Sequence, residues 1–444
     1  MADVPFFGMR ASDDFVNNAR PENWRETILY LYPNGRAPLT ALTSMMSSED
    51  TDDPHYHWWT EMLANQRASV TGVFLNAGLS TPYTQQSAGA TVYVRMGASD
   101  IDKFRVGHQV MARCSVDPSL DVVGKVTARS KAGSSSYVAV YLHEDDDNST
   151  QGRIMSASDV LLIIGNINPE GSTIPEAIAY DPTEYYNYTQ IFRTPLKHTR
   201  TAKYTRLRTG DQVMKAKRQA LEMHGVEMEK AFIFGKRTLG TGSNGYPERT
   251  TGGIREFIVT NRFDYPSDGG GAWLTDGWDY LNEKLRLIFK YGDSRERLAF
   301  CGNGVLGAIA QLAKEYGTFE LTARETSFGV EIYEWITPFG RLMLKDHPLF
   351  NLEDTLNYSM LVTLPTNLRY RYLTSSDTKY YPNRQANDLD GEMSEYLTEA
   401  GLEMYHEMTF GWFDGLGINS YGNLTTPAPT TAAATTVAPT TAAP

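Results

Sequence analysis

Cysteine is nearly absent: the 444 residues hold two, Cys114 and Cys301, too few for a disulfide framework. Long apolar runs are missing too. The longest aliphatic stretch, VLLII at residues 160–164, falls far short of the ~18 residues a membrane span needs. The opening MADVPFFGMR has no basic segment leading into an apolar run, so no secretory signal is visible. These absences lead us to expect a soluble chain made in the cytoplasm, with no membrane partner. Positive charge is scarce as well. Lys and Arg total 41 against 53 Asp and Glu, a net charge of −12. That balance argues against tight general nucleic-acid binding, which depends on neutralising phosphates, and favours solubility at high concentration. No G-x-S-x-G or H-E-x-x-H motif occurs, and no repeat of 20–50 residues.

What is present suits globular domains: 41% apolar and 11% aromatic residues, in a length of about two to four domains. Residues 1–50 read as an arm, with short helices at 20–33 and 38–46. HYHWWTEML, residues 55–63, reads as an extended aromatic strand. Within residues 90–168 five short β-branched runs alternate with turn clusters, the pattern of a small barrel or sandwich. Residues 190–207 are extended again. Val213, Met214, Leu221, Val226, Met228, Phe232 and Phe234 then predict one long helix up to a cap at Gly235. Gly225 inside it costs ~1 kcal/mol against Ala. Residues 235–254 read as a glycine-rich loop. An α/β section follows, with Trp278, Leu281, Leu285 and Ile288 on one helical face, a strand at ERLAFCG, a helix from Asn303 to Gly317, and a hairpin around TPFG. A β-rich return closes near Leu416. The last 20 residues are Thr, Ala, Pro and one Val, which build no core.

Several constellations invite a chemical reading. Gly302, Gly304 and Gly307 form G-x-G-x-x-G between a strand and a helix, the context of a dinucleotide site. The chain after it is β-rich and supplies no second mononucleotide half, so the competing reading is tight helix–strand packing. Gly240, Gly242 and Gly245 repeat the spacing in a loop. His55 and His57 share one strand face without a third metal ligand at a readable spacing. Glu144 to Asp147 form an acidic run that reads as a solvated turn rather than a calcium loop. Cys114 and Cys301 read as small core residues. Most unusual is a block at residues 193–208, where Arg193, Lys197, Arg200, Lys203, Arg206 and Arg208 occur with no acid. A contact with acidic patches on another subunit, a solvated face and a phosphate contact all fit it.

The order of parts carries a resemblance. The strand with Trp58, Trp59 and Glu61, the return strand NYTQIF from Asn187 to Phe192, the helix end with Glu229, Ala231 and Gly235, and the loop from Thr251 to Ile254 together resemble the major capsid (head) protein of tailed double-stranded DNA bacteriophages. The resemblance implies an α+β, HK97-like fold. Residues 1–50 would be its N-terminal arm, 51–89 and 169–208 the two sides of an extended loop, and 90–168 an inserted β-module. Residues 209–260 and 376–420 would form the peripheral domain with its spine helix, 261–375 the axial domain, and 421–444 a tail. It implies a structural protein with no enzymatic activity, cofactor or metal. Its copies would join as hexamers and pentamers into an icosahedral virion shell around double-stranded DNA, with a portal and cement proteins as further partners, and would be made in the host cytoplasm. The six basic residues would then meet a neighbouring subunit. Two other readings stay open: a nicotinamide-dependent oxidoreductase using Gly302, Gly304 and Gly307, and a β-rich surface adhesin with a mucin-like tail.

Overall fold

The structure, a computed structural model, describes residues 47–61, 66–115, 121–146, 154–204, 212–292, 294–316, 322–325 and 331–419. The helices expected at 20–33 and 38–46, the tail at 421–444, Asp147, Arg206 and Arg208 lie outside the described residues. Two compact units form, one from residues 61–183 and the other from the chain on either side.

The chain enters through β1 (Ser48–Thr51) and β2 (His55–Thr60). Alternation along β2 buries Tyr56, Trp58 and Thr60 and leaves His57 and Trp59 exposed, the two-residue period of a half-buried strand. Next comes a six-stranded closed barrel: β3 (Arg67–Phe74), β4 (Thr91–Met96), β5 (His108–Arg113), β6 (Val122–Ser130), β7 (Tyr137–Leu142) and β8 (Val160–Asn166), in the order β3-β4-β7-β6-β5-β8. Val92, Val94, Val110, Val126, Val138, Val140 and Leu161 fill it, with Phe104 and Ile101 added to the same core. Closure leaves no strand edge exposed. Register shifts that leave an extra residue in β3, β6 and β8 supply the bends that closure requires.

Five strands within 90–168 were expected; the sixth, β3, lies earlier, so the module runs from residue 61 to 183 rather than from 90 to 168. RASVTGVF hides its strand character, because a register shift between Val70 and Gly72 interrupts the alternation of its inward residues Ala68, Val70 and Val73. The acidic run is solvated at Glu144 and Asp145, as expected of a turn, but Asp146 is buried and all three carboxylates bond the barrel. Glu144 accepts the Val123 N–H, Asp145 the Ala88 N–H, and the buried Asp146 both the Tyr83 hydroxyl and the Met155 N–H.

Beyond the barrel, β9 (Thr183–Tyr188) pairs with β2, and β10 (Gln190–Thr199) leads to α1 (Gln212–Phe234). The remaining elements are β11 (Thr238–Thr241), β12 (Pro247–Thr250), β13 (Arg262–Asp264), α2 (Trp273–Phe289), β14 (Glu296–Cys301), α3 (Asn303–Tyr316), β15 (Thr322–Glu325), β16 (Glu331–Thr337), β17 (Gly340–Asp346), β18 (Met360–Thr363), β19 (Leu368–Leu373), β20 (Lys379–Tyr381), β21 (Gly391–Met404) and β22 (Gly411–Asp414). One sheet runs β1-β19-β21-β10, with β20 also on β21; a second runs β13-β22-β18-β14-β17-β16-β15. The long helix is the one periodicity predicts: Leu221, His224, Met228 and Phe232 recur at three- to four-residue spacing on its buried face. Phe192, Met228, Phe232, Ile233 and Leu402 share one core, and Leu281, Leu285, Ile288, Val305, Leu312 and Leu344 another.

Sheet membership departs from the expected boundaries. β19, expected within 261–375, lies between β1 and β21. β22, expected within the 376–420 return, pairs with β13 and β18 in the other sheet. A strand's own residues state its period but not its partner. The loop containing Gly240, Gly242 and Gly245 is a hairpin, β11 against β12, stitched by a Thr238–Thr250 hydroxyl contact of 2.6 Å.

Candidate assembly surface

Most of the residues behind the resemblance converge on one joint, whereas Trp59 and Glu61 are exposed and take no part in it. Asn187 is fully buried, and its amide donates to the Leu402 carbonyl (2.7 Å), the Gly252 carbonyl (3.1 Å) and the Thr251 hydroxyl (3.2 Å), while its oxygen accepts the Gly252 N–H (2.7 Å). Tyr56 donates its hydroxyl to the Leu402 carbonyl, and Trp58 its indole N–H to the Met404 carbonyl. The β2–β9 ribbon is therefore rooted in β21 and in the Thr251–Gly252 loop. That loop in turn clamps the end of α1. The Gly253 N–H donates to the Gly235 carbonyl at 2.9 Å, and a Cβ on Gly253 would fall 2.8 Å from the Ala231 carbonyl oxygen. Only glycine permits this approach. Glu229 leaves the helix on the other side to meet His347 at 2.7 Å, both fully buried. The Leu349 N–H occupies His347 Nδ1, so Nε2 carries the proton and donates to the carboxylate. Nothing in the sequence singled out His347, 118 residues away from its partner.

The basic stretch finds partners within its own chain. β10 runs antiparallel to β21 from Gln190 opposite Ala400 to Thr199 opposite Gly391, and β21 is rich in carboxylates. Arg193 meets Glu395 at 2.6 Å, and Arg384 reaches the same carboxylate at 3.2 Å. Lys203 and His198 share Glu392, and Arg200 meets Asp390 at 3.0 Å. The hydrogen bond from Lys203, helped by His198, holds the Glu392 carboxyl below its ordinary range, and the same bond raises the Lys203 ammonium. Lys197 is exposed and has no ion pair among the described residues. Arg193, Arg200 and Lys203 remain 59%, 70% and 40% exposed, so each pair contributes at most about 1 kcal/mol. They fix the register of two long strands and leave charge available to solvent. Beside them lies a polar cleft of about 340 Å³, lined by Gln190, Ile191, Asn244, Tyr246, Glu248 and Arg249.

The other constellations resolve differently. Asn351 accepts the Asn303 N–H (2.7 Å) and Asn357 the Gly304 N–H (2.8 Å). A Cβ on Gly302 would lie 2.2 Å from the Asn357 carbonyl oxygen, and one on Gly304 2.8 Å from the Tyr358 ring. The helix amides that would hold a pyrophosphate are thus engaged by asparagines, and these two glycines serve close packing. The dinucleotide reading is overturned at this site. Cys301 is buried, and burial together with Asp346 pushes its thiol up, away from the reactive thiolate; Cys114 is half-buried. Among the described residues no three His, Cys, Asp or Glu side chains group in a way that could hold a metal. His57 instead meets Glu184 at 2.6 Å.

Residues 10–417 match the family described as SU10 major capsid protein. The major capsid protein of Pseudomonas phage PaMx41 is 26% identical over 359 residues, covering 80% of this chain and 79% of that protein. Among solved structures, the chain is similar to the holo-SrpI encapsulin complex from Synechococcus elongatus PCC 7942 (TM-score 0.37, 14% identity, 53% of this chain and 75% of that one). It is also similar to the capsid of Myoviridae Phage XM1 (TM-score 0.36, 9% identity, 56% and 80%).

Proposed function

The chain belongs to the SU10 major capsid protein family and is a structural component of a phage virion; from that premise we propose that its copies close, as hexamers and pentamers, into an icosahedral head around double-stranded DNA. The observation that carries this reading is the extent of the family match, residues 10–417, which runs through both compact units. Charge supports it. A wall at −12 per subunit encloses a polyanion without adhering to it. Repetition of modest contacts around closed rings stabilises a shell without any single strong bond.

Synthesis in the host cytoplasm, a portal at one vertex and cement proteins on the surface belong to the same proposal. So does a contact from Arg193, Lys197, Arg200, Lys203, Arg206 and Arg208 to a neighbouring subunit. Lys197 and the exposed guanidinium of Arg200 are its best-supported members, since charge left in solvent steers and registers a partner. The oxidoreductase reading has lost its site, and family membership displaces the adhesin reading.

Negative-stain microscopy and sedimentation of the full-length chain test the proposal. Shells, or five- and six-membered rings, are expected at high concentration; a chain that stays monomeric or dimeric overturns it. The double variant K197E/R200E tests the contact. It is expected to assemble less well and to lose the wild type's salt dependence, with a loss of thermal stability no larger than the contribution of the Arg200–Asp390 pair, about 1 kcal/mol. Assembly equal to wild type at low salt removes these two residues from the interface.

A further inference from the structure

The outer face of the β2–β9 ribbon holds two histidines, of which one has a carboxylate in contact and the other has none. The His55 and His57 rings are 4.2 Å apart. His57 Nδ1 is 2.6 Å from Glu184, so a proton on His57 has a counter-ion in contact. His55 has none. Its ring lies against Tyr188 at 4.7 Å and edge-on to Tyr186 at 5.2 Å, and its Nε2 is buried without a hydrogen-bond partner. The Asp53 carboxylate beside it accepts the His55 backbone N–H at 2.8 Å rather than a ring proton.

Charges from the neighbouring elements are divided. Asp53 and Glu184 favour a cationic His55, whereas His57 and Arg249 oppose it. Arg237 adds positive charge at the same face, 4.5 Å over the Tyr186 ring. Burial outweighs these and, with His57, lowers the His55 pKa below the ordinary histidine value.

We propose that His55, His57 and Glu184 form a proton-operated clasp. With His55 neutral it seals the outer face of the ribbon, and a proton arriving on His55 drives the two rings apart and loosens β2 from β9. Proton uptake is the whole reaction. The proton comes from solvent, settles on His55 and leaves when the pH is raised again. A charged His55 cannot stay where it is, because its buried N–H would be left unpaired, with a second imidazole rather than a carboxylate against its ring. The ring must turn towards water, and its stacking on Tyr186 and Tyr188 is lost. The inner face of the ribbon stays tied to β21 by the hydrogen bonds of Tyr56, Trp58 and Asn187, so opening is confined to the ribbon.

Hydrogen exchange of the full-length chain, corrected for the intrinsic pH dependence of exchange, reads the clasp directly in peptides covering residues 54–61 and 183–189. Between about pH 7.5 and about pH 5, protection in these peptides is expected to fall roughly tenfold or more, and to return when the pH is raised. His55→Phe keeps an aromatic ring and cannot titrate; it should hold protection constant over the same range. Should that variant fail to fold, His55→Gln serves the same purpose. Flat wild-type protection in this window overturns the proposal, as does an equal acid response in wild type and either His55 variant.

Discussion

His224 lies between α1 and the first sheet with both ring nitrogens engaged. Thr194 Oγ1 is 3.0 Å from Nδ1, and Nε2 is 2.7 Å from Thr398 Oγ1, which itself donates to Thr378. Since Thr398 gives its proton away, Nε2 donates to it; burial keeps the ring neutral, so Nδ1 accepts from Thr194. Burial lowers its pKa from 6.5 to about 4. The unfolded chain therefore binds a proton at a pH where the folded one does not. The stability this group contributes is complete above 6.5 and is lost as pH falls towards 4, in total about 3 kcal/mol at ~1.4 kcal/mol per unit. Denaturant midpoints of wild type should fall over that window, and those of His224→Gln should fall less; parallel pH profiles would remove His224 as the cause. Asn187 offers a second residue-scale outcome. Asn187→Asp keeps the shape but replaces the donating amide with an acceptor facing two carbonyls, and a loss of roughly 2–4 kcal/mol is expected. Thermal unfolding measures it, and a loss below 1 kcal/mol would mean the joint has another anchor.

At the scale of elements, β19 ties the incoming chain to the sheet through charge. Arg371 reaches across to the fully buried Glu403 on β21, which also accepts the Tyr405 hydroxyl, and on its other side meets Glu49 of β1 at 3.1 Å. Arg369 meets the same Glu49 at 3.0 Å. Removing one member of a buried pair strands the other charge, which typically costs about 3–5 kcal/mol. Arg371→Met is expected to lose that much in denaturant unfolding and to expose residues 48–51 to proteolysis, whereas Glu403→Gln, which still accepts from Arg371, should lose less. Equal losses would argue against the stranded-charge account. This network also marks the limit of what the sequence discloses. The helix α1, the β16–β17 hairpin and most of the barrel are legible because apolar residues at 3.6- or two-residue spacing state their own element. The basic block was visible too, but its carboxylates at Glu392 and Glu395 lie about 200 residues away, and no local pattern links them. The same holds for Glu229 with His347. The glycines at 302 and 304 were seen, yet whether they admit a phosphate or the backbone of Asn357 depends on a neighbour that periodicity does not name.

Considered whole, the molecule is two compact units on one chain. The barrel packs Val92, Val94, Val138, Val140 and Leu161 against one another, and the second unit packs its residues into two other clusters. A closed barrel satisfies its backbone hydrogen bonds internally, and a unit of this size with its own apolar interior has what it needs to unfold cooperatively. The chain leaves and re-enters the second unit at adjacent strands, since β2 and β9 are paired, so that unit does not need the barrel to complete either of its sheets. Calorimetry of the full-length chain in its unassembled state is therefore expected to show two transitions. Val140→Ala, at a site 1% exposed, should lower the barrel's transition alone, and Leu281→Ala, at a fully buried site, the other alone, each core losing roughly 1–5 kcal/mol. A single transition moved alike by both variants would mean that the two units fold as one.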